Sequence, residues 1–394
     1  MSTFNHNKNK SAHESRRLVI IAGYYGFDNL GDEAILEELV NELSSLCDRQ
    51  SIVVLSNNPQ KTTSLFRVKS INRWQWFDYL KVSRQAKLLI SGGGGLFQDR
   101  TGFGSVIFYS AQILLAHFCG AKVLIYAQGL GPLQNAFSKA LTHFAFKQTN
   151  KITVRDNNSL NTIKAWSLEG HLTADPVWSL SPSPLPQSAY QVIETVKRNT
   201  KGLTIGLSIR QDSHLKSYHL YHLTKSLIDA LPKQSTILLL PFQLQQDQQP
   251  LQTVEQFFSQ SSINTKWLEP NLFTKPSQWL TLMENFDLLI GMRFHAVLMA
   301  LKVNKPVIGI AYDQKVSNLL LQFKQPELSL AADENQCQTE WPKTIKTAIS
   351  ARASLIDVSK NILIANKQLA DQNIKSLAEI LEVGTTGNVA SINN

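Results

Sequence analysis

An arginine and a histidine stand one residue apart in the segment GMRFHA, at Arg293 and His295. A guanidinium group binds carboxylates and phosphates through paired hydrogen bonds, and an imidazole exchanges protons near neutral pH. A single histidine is more often structural than catalytic. This pair, however, follows a strand that ends at Gly291 and opens a helix, whose N-terminus favours anions. The segment therefore predicts an anion site at which Arg293 anchors the substrate and His295 acts as acid or base.

Three further cations follow predicted strands. Lys315 lies one strand later in YDQK, Arg210 ends LSIR, and Arg155 ends the strand of TVRD. Because ligands of parallel α/β sheets bind at the carboxyl ends of strands, we expect these side chains to help bind a ligand that carries phosphate and carboxylate. Simpler interpretations stay open, namely a surface lysine at position 315 and an arginine paired with the adjacent Asp156 at position 155.

The segment ISGGGGLFQD, residues 90–99, places four glycines directly after a strand. Each costs roughly 0.5 to 1 kcal/mol relative to alanine in regular structure, so such a run indicates backbone that another group approaches closely. Backbone amides around Gly93, Gly94 and Gly95 predict a site for an anion or a sugar hydroxyl. Asp99 is a candidate to orient or deprotonate an acceptor hydroxyl. The alternative for Asp99 is a helix cap or a solvated loop carboxylate.

A second glycine-rich turn, GYYGFDNLGDEAIL at residues 23–36, runs straight into a helix. It has neither the ending of a Walker loop nor the spacing of a dinucleotide fingerprint. Gly26, Asn29 and Asp32 are candidate contacts to a phosphate or sugar, and a tight turn with Asp32 near the N-cap is the alternative. The loop YAQGLGP adds Gln128 as a further polar candidate.

Short β-rich runs alternate with longer helical patterns along the chain, which is typical of parallel α/β sheets. Near-continuous Val, Ile and Leu content predicts strands that are buried on both faces. A proline-rich run that begins at Ser179 supports neither helix nor central strand and predicts a linker. The predicted strands are residues 18–23, 51–56, 87–92, 122–128, 151–155, 171–174, 203–210, 236–241, 265–268, 287–291 and 305–312.

The predicted fold class is α/β, with two doubly wound, Rossmann-like domains that face a cleft. We expect helices at 293–301 and 353–381. The glutamine-rich segment 243–252 is expected to be an exposed loop that leads into a helix, and it shows no sign of a functional tract. The predicted segments are a disordered leader at 1–17, an N-terminal domain on the acceptor side at 18–178, a linker at 179–200, a C-terminal domain on the donor side at 201–382, and a disordered tail at 383–394.

Composition limits the classes of partner. The chain has 394 residues, 43% apolar and 18% charged, which is typical of globular proteins and long for one domain. Lys and Arg number 39 against 30 Asp and Glu, so the formal charge of +9 favours anionic partners such as phosphorylated small molecules or lipid headgroups. Nucleic acid ranks last among the anionic partners, because the sequence has no basic run interleaved with aromatics and no zinc-finger or RNA-binding signature.

Cysteine usage and hydropathy predict a cytoplasmic protein. The three cysteines, Cys47, Cys119 and Cys337, are far apart and have no metal-ligand spacing, so we expect a reducing compartment and no metal. The polar segment 1–17 lacks the apolar stretch of a signal peptide. Apolar runs are far shorter than the roughly 20 residues of a membrane helix, so any contact with the plasma membrane is expected to be peripheral.

Read in order, GYYGFDNLGDEAI, SGGGGLFQD, YAQGLGPL, VRD, TADP, GMRFHA and GIAYDQKV resemble the polysaccharide pyruvyl transferase family, in particular its CsaB-type cell-wall members. The resemblance spans about residues 18–320. It implies a GT-B-like fold, no metal and no cofactor, phosphoenolpyruvate as donor substrate, and a lipid-linked saccharide such as N-acetylmannosamine as acceptor. The implied product is a 4,6-ketal of pyruvate.

The family motifs also imply roles for single residues. Arg293, His295 and Lys315 match the donor-binding positions, Asp99 matches the acidic residue after the glycine run, and Arg155 matches the arginine at the end of the first domain. Phe294 stands where other members often carry leucine. Two other classes stay open: a GT-B glycosyltransferase that uses a nucleotide sugar, and a non-enzymatic sugar- or lipid-carrier-binding protein.

Overall fold

The computed structural model describes residues 17–100, 102–312, 314–331 and 333–383, with no side-chain description at 357–359. The predicted leader and tail therefore lie almost entirely outside the described residues. The described chain divides into two compact units. The first comprises residues 17–27, 35–179 and 367–383, and the second comprises Asp28–Ala34 and Leu180–Asn366.

The first unit contains a seven-stranded parallel sheet with strand order β3-β2-β1-β4-β5-β6-β7. The order reverses between β1 and β4, and ligands of open α/β sheets bind beside the loops at such a reversal. The strands are β1 (Leu18–Ala22), β2 (Ile52–Ser56), β3 (Lys69–Asn72), β4 (Ala86–Ser91), β5 (Lys122–Gln128), β6 (Lys151–Val154) and β7 (His171–Leu172).

Helices cover both faces of this sheet. They are α1 (Leu30–Leu46), α2 (Pro59–Phe66), α3 (Trp76–Gln85), α4 (Gly104–Phe118), α5 (Ala136–Lys147) and α6 (Asn157–Ala165). Tyr79, Ile113, Phe146 and Ile163 of α3 to α6 pack into one apolar core against the sheet. The core on the other face contains residues of α1 and α2 and the end of the last helix, for example Leu377.

The second unit contains a six-stranded parallel sheet with the order β10-β9-β8-β11-β12-β13, which reverses between β8 and β11. Its strands are β8 (Thr204–Ser208), β9 (Thr236–Leu239), β10 (Asn264–Trp267), β11 (Leu288–Gly291), β12 (Val307–Ala311) and β13 (Ser329–Ala331). Its helices are α7 (Gln187–Asn199), α8 (Ser217–Ala230), α9 (Leu244–Phe258), α10 (Ser277–Met283), α11 (Phe294–Lys302), α12 (Gln314–Gln322) and α13 (Glu334–Leu381), whose last part, from residue 367, belongs to the first unit.

The structure confirms the predicted α/β class with two doubly wound parallel sheets. Sequence reasoning missed β3, which is polar and only partly buried, and β13, which has three residues. The predicted linker contains α7, and α13 begins at Glu334, well before residue 353.

The prediction of an exposed loop at 243–252 is wrong, because nearly all of this segment lies in α9. The buried residues Asp247, Leu251, Val254 and Phe258 recur at helical spacing, and the glutamines between them hid this period.

Candidate active site

Arg293 occupies the N-cap of α11, directly after the β11 strand that borders the reversal of strand order. Its side chain is 8% exposed and forms a buried ion pair with Asp247. Nε lies 3.0 Å from both carboxylate oxygens, and Nη2 lies 2.5 Å from Oδ1 and 3.3 Å from Oε1 of Gln246. Nη1 makes no hydrogen bond within the described part of the chain, so it remains available to an anion.

Asp247, the partner of Arg293, is a residue that sequence reasoning missed. It is fully buried in the first turn of α9, and its Oδ2 accepts a hydrogen bond of 2.9 Å from the backbone N–H of Gln243. Burial raises the pKa of Asp247, and the nearby Arg293 opposes that rise. The sequence does carry a signal for it, because Asp247 is a single acidic residue in a glutamine run and stands at helical spacing from the apolar Leu251 and Val254. Asp247 holds the guanidinium of Arg293 in one orientation.

His295 lies in the first turn of α11, and its ring packs against Gly31. A Cβ atom at position 31 would lie 2.1 Å from Nδ1 of His295, so only glycine fits there without moving the imidazole. The turn is fixed on both sides of Gly31. Asn29 Oδ1 accepts from Gly31 N at 3.2 Å, and Leu30 N donates to Phe242 O at 2.8 Å. The turn that contains Asn29 and Gly31 therefore packs against His295, the predicted acid or base, and restricts the position of its ring.

The remaining donor candidates of the second unit follow neighbouring strands. Arg210 comes after β8, and its guanidinium carbon lies 5.4 Å from the ring centroid of Tyr312, which comes after β12. Its Nη1 lies 3.4 Å from the Tyr312 hydroxyl. Lys315 lies, half-buried, in the first turn of α12. Asp32 lies in the first turn of α1. Since β8, β11 and β12 are adjacent and parallel, Arg210, Arg293 and Lys315 follow strand ends at the same edge of the sheet.

In the first unit the glycine run is fixed by Gln128. Gly94 has a φ of +102°, which favours glycine, and its carbonyl accepts hydrogen bonds from Gln128 Nε2 at 2.7 Å and from Gly129 N at 2.8 Å. Gly93 is buried and Gly95 is half-buried. Gln128 is fully buried, and its Oε1 has no hydrogen-bond partner among the residues that the structure describes. This loop therefore combines ordered backbone with one unsatisfied polar acceptor.

The structure gives Asp99 the alternative role, that of a cap. The backbone N–H of Gln134 donates to Oδ1 at 2.8 Å and to Oδ2 at 3.0 Å, and that of Asn135 donates to Oδ2 at 2.8 Å, directly before α5. Partial burial acts to raise the pKa of Asp99, but these hydrogen bonds outweigh it, and the pKa is lowered. A carboxylate with a lowered pKa is a weak base, which argues against the predicted deprotonation of an acceptor.

Arg155 forms a buried ion pair with Asp175, at 2.5 Å from Nη1 to Oδ2. The suggested pairing with Asp156 is wrong, because that carboxylate caps α6 by accepting from the N–H of Ser159. The ion pair with Asp175 gives Arg155 a structural role, because it joins the end of β6 to the segment that follows β7 within the first unit.

Arg73, which follows the unpredicted strand β3, is a second residue that sequence reasoning missed. It is 4% exposed, donates to Gly23 O at 2.7 Å and to the Tyr109 hydroxyl at 3.1 Å, and lies over the rings of Phe27 and Phe108. The signal in the sequence is an arginine among tryptophans in NRWQW. A buried cation thus anchors the loop that follows β1.

Beside it, the half-exposed Trp74 donates its indole N–H to Asn57 Oδ1 at 3.1 Å. Asn57 Nδ2 in turn lies 3.5 Å from the carbonyl of Gly26. Gly26 therefore lies among the loops at the carboxyl edge of the first sheet. Within the described residues, no group of three or more His, Cys, Asp or Glu side chains is arranged to hold a metal ion.

Comparison with solved structures shows the same fold in proteins solved with UDP or UDP-GlcNAc. Anabaena HepE, solved with UDP and glucose, matches with a TM-score of 0.60 and 10% identity, over 93% of this chain and 100% of that chain. Staphylococcus aureus MnaA, solved with UDP, matches with a TM-score of 0.61 and 9% identity, over 94% and 99%. The UDP-GlcNAc 2-epimerase of Neisseria meningitidis, bound to UDP-GlcNAc, matches with a TM-score of 0.55 and 13% identity, over 93% and 99%.

Comparison with curated proteins finds no match. The family model described as polysaccharide pyruvyl transferase matches residues 29–314, which is more than half of the chain. This range begins at the turn that supports His295 and includes Asp247, Arg293 and His295. The chain belongs to the polysaccharide pyruvyl transferase family, and it is an enzyme.

Proposed function

We propose that this enzyme transfers the pyruvyl group of phosphoenolpyruvate onto two hydroxyls of a sugar and releases phosphate. One observation carries the proposal: a buried arginine, oriented by Asp247, keeps Nη1 available at the N-terminus of α11, one residue from a histidine packed on Gly31. Helix N-terminus and guanidinium together favour an anion at this point.

The donor carries a carboxylate and a phosphate, and the second unit supplies cations for both. Arg293 binds one of these groups through Nη1. Arg210 and Lys315, which follow neighbouring strands of the same sheet, bind the other. Asp247 compensates the charge of Arg293 when no ligand is bound. The ion pair therefore keeps a charged guanidinium stable in a buried position until the donor binds.

The reaction requires the movement of protons. The methylene carbon of phosphoenolpyruvate takes up a proton, a sugar hydroxyl attacks the adjacent carbon, the bond to phosphate breaks, and the second hydroxyl closes the ketal. Two hydroxyl protons are lost, one proton ends on the new methyl group and one on phosphate. His295 is the residue we assign to this proton transfer, because imidazole gains and loses protons near neutral pH.

The acceptor is proposed to bind at the first unit, where Gly94 and Gln128 offer ordered backbone and a buried acceptor atom. The proposed acceptor is a saccharide such as N-acetylmannosamine in a lipid-linked precursor of a cell-wall or extracellular polysaccharide. Asp99 and Arg155 act as positioning residues in this scheme, because Asp99 accepts hydrogen bonds from backbone N–H groups and Arg155 forms an ion pair with Asp175.

Phosphate release tests the proposal. The protein is incubated with phosphoenolpyruvate and a saccharide acceptor, and the matched control is the same saccharide with one of the two hydroxyls methylated. We expect stoichiometric phosphate and ketal with the free acceptor and no ketal with the methylated one. Release of nucleotide from a nucleotide sugar, with phosphoenolpyruvate inert, would overturn the proposal in favour of a glycosyltransferase.

A further inference from the structure

Exposed aromatic side chains are concentrated on one face of the first unit. This face consists of the outer surfaces of α3, α4 and α5, whereas α1 and α2 on the opposite face carry no exposed large apolar residue among the described ones. We define the aromatic face by its exposed members, which are Trp76, Phe77, Phe103, Ile107, Phe118, Phe137 and Phe144. Phe77 and Phe118 are 84% and 81% exposed, so their burial elsewhere would be favourable.

On α4 and on α5, helical spacing aligns the exposed apolar side chains in a stripe along each helix. Phe103, Ile107 and Phe118 are 4 and 11 residues apart, about one and three turns along α4. Phe137 and Phe144 stand about two turns apart on α5. The two stripes meet, because the ring centroids of Phe103 and Phe137 are 6.2 Å apart.

Along α4 and α5 the charge has one sign. Residues 100–155 contain no Asp or Glu and six Lys or Arg. Three of these cations pair with acids from other segments, namely Lys122 with Glu382, Lys151 with Glu379 and Arg155 with Asp175. On α5 itself, Lys139 and Lys147 are exposed and have no ion pair among the described residues. On α3, the half-exposed Asp78 beside Phe77 pairs with Lys81. Along α4 and α5, the charged groups that border the apolar surface are all basic, which makes this part of the surface complementary to an anionic partner.

We propose that the aromatic face docks on a bilayer of anionic phospholipids, with the phenyl rings at the level of the headgroups and Lys139 and Lys147 against lipid phosphates. Aromatic and basic residues together are what interfacial binding requires. A symmetric contact between two copies would bury the same rings, but it would bring lysines of like charge together without acidic residues of α4 or α5 to compensate them. Among the described helices, none is long and apolar enough to span a bilayer.

Flotation of the full-length protein with lipid vesicles tests this inference independently of catalysis. Vesicles contain either phosphatidylcholine alone or phosphatidylcholine with phosphatidylglycerol. We expect binding only to the anionic vesicles, and weaker binding at high salt. The double variants Phe118→Ser/Phe144→Ser and Lys139→Glu/Lys147→Glu should each lose roughly 10-fold in affinity.

Matched controls come from exposed residues of the second unit, Tyr190→Ser/Leu321→Ser for apolar loss and Lys201→Glu/Lys233→Glu for charge reversal. These controls should bind like the wild type, and unchanged melting temperatures should show that all variants fold. Equal losses of vesicle affinity in the control and test variants would overturn the inference. Failure of the wild-type protein to bind anionic vesicles would overturn it as well. A dimer in solution that dissociates in Phe118→Ser/Phe144→Ser would assign the face to a second copy instead.

Discussion

At the reversal of strand order, the first unit presents glycine backbone and the second presents charged side chains. In the first, Gly94 is fixed by Gln128, and the nearby arginine is tied to Asp175. In the second, Arg293 also pairs with an aspartate, yet keeps Nη1 available beside His295. The same topology therefore supports two different surfaces, one suited to hydroxyl groups and one to anions. Residue identity in the loops, rather than fold, separates acceptor and donor in our account.

The largest expected effect is on stability, and it comes from removing Asp247, the ion-pair partner of Arg293. Asp247→Ala leaves Arg293 buried without its counter-charge, and we expect a loss of about 3 to 5 kcal/mol in the free energy of unfolding. Chemical denaturation measures this loss. The control Glu340→Ala breaks an exposed ion pair with Lys343 and should cost less than about 1 kcal/mol. Equal costs would show that the Arg293 pair is not buried as described.

The next effect is on turnover and distinguishes the roles of the two neighbouring residues in the proposed donor site. His295→Gln keeps hydrogen bonding but cannot transfer a proton, so kcat should fall by about 100-fold or more while the KM for phosphoenolpyruvate changes little. Steady-state phosphate release gives both constants. If kcat stays within a few-fold of the wild type, His295 is not the acid or base.

A smaller loss is expected when the support of His295 is changed. Gly31→Ala places a methyl group where the imidazole lies, so the ring must shift, and turnover should fall by about 10-fold. Gly104→Ala is the matched control, since a Cβ there meets nothing within 4 Å. Indistinguishable kinetics for the two variants would contradict the packing argument.

The smallest effect concerns Asp99 in the first unit. Asp99→Ala should cost about 1 kcal/mol of stability at neutral pH, as is usual for the loss of a helix cap. Because the pKa of Asp99 is lowered in the folded protein, its contribution is present above the ordinary aspartate pKa of about 3.9 and disappears as the pH falls through the folded value. Denaturation of both proteins from pH 7 to pH 3 measures this. A loss of turnover in Asp99→Ala as large as that in His295→Gln would instead show that Asp99 is catalytic.

Sequence reasoning identified Arg293 and His295 as candidates because their segment follows a recognisable strand and opens a helix, and the structure shows both of these elements. It missed Asp247, since a glutamine run conceals the helical period of α9, and it missed Arg73, since β3 is too polar to be recognised. The contact between Gly31 and His295 joins distant parts of the chain, which no local pattern reveals. For Asp99, cap and catalytic residue have the same sequence signature, and only the distances to Gln134 and Asn135 distinguish them.

Calorimetric titration with phosphoenolpyruvate tests the central claim most directly, with Arg293→Lys and Arg155→Lys as a matched pair. Each variant keeps a cation beside its aspartate but loses the planar guanidinium. We predict about 10-fold weaker binding, or roughly 1.4 kcal/mol, for Arg293→Lys and wild-type affinity for Arg155→Lys. Wild-type affinity for Arg293→Lys, with weakened binding for Arg155→Lys, would place the donor at the first unit and contradict the account.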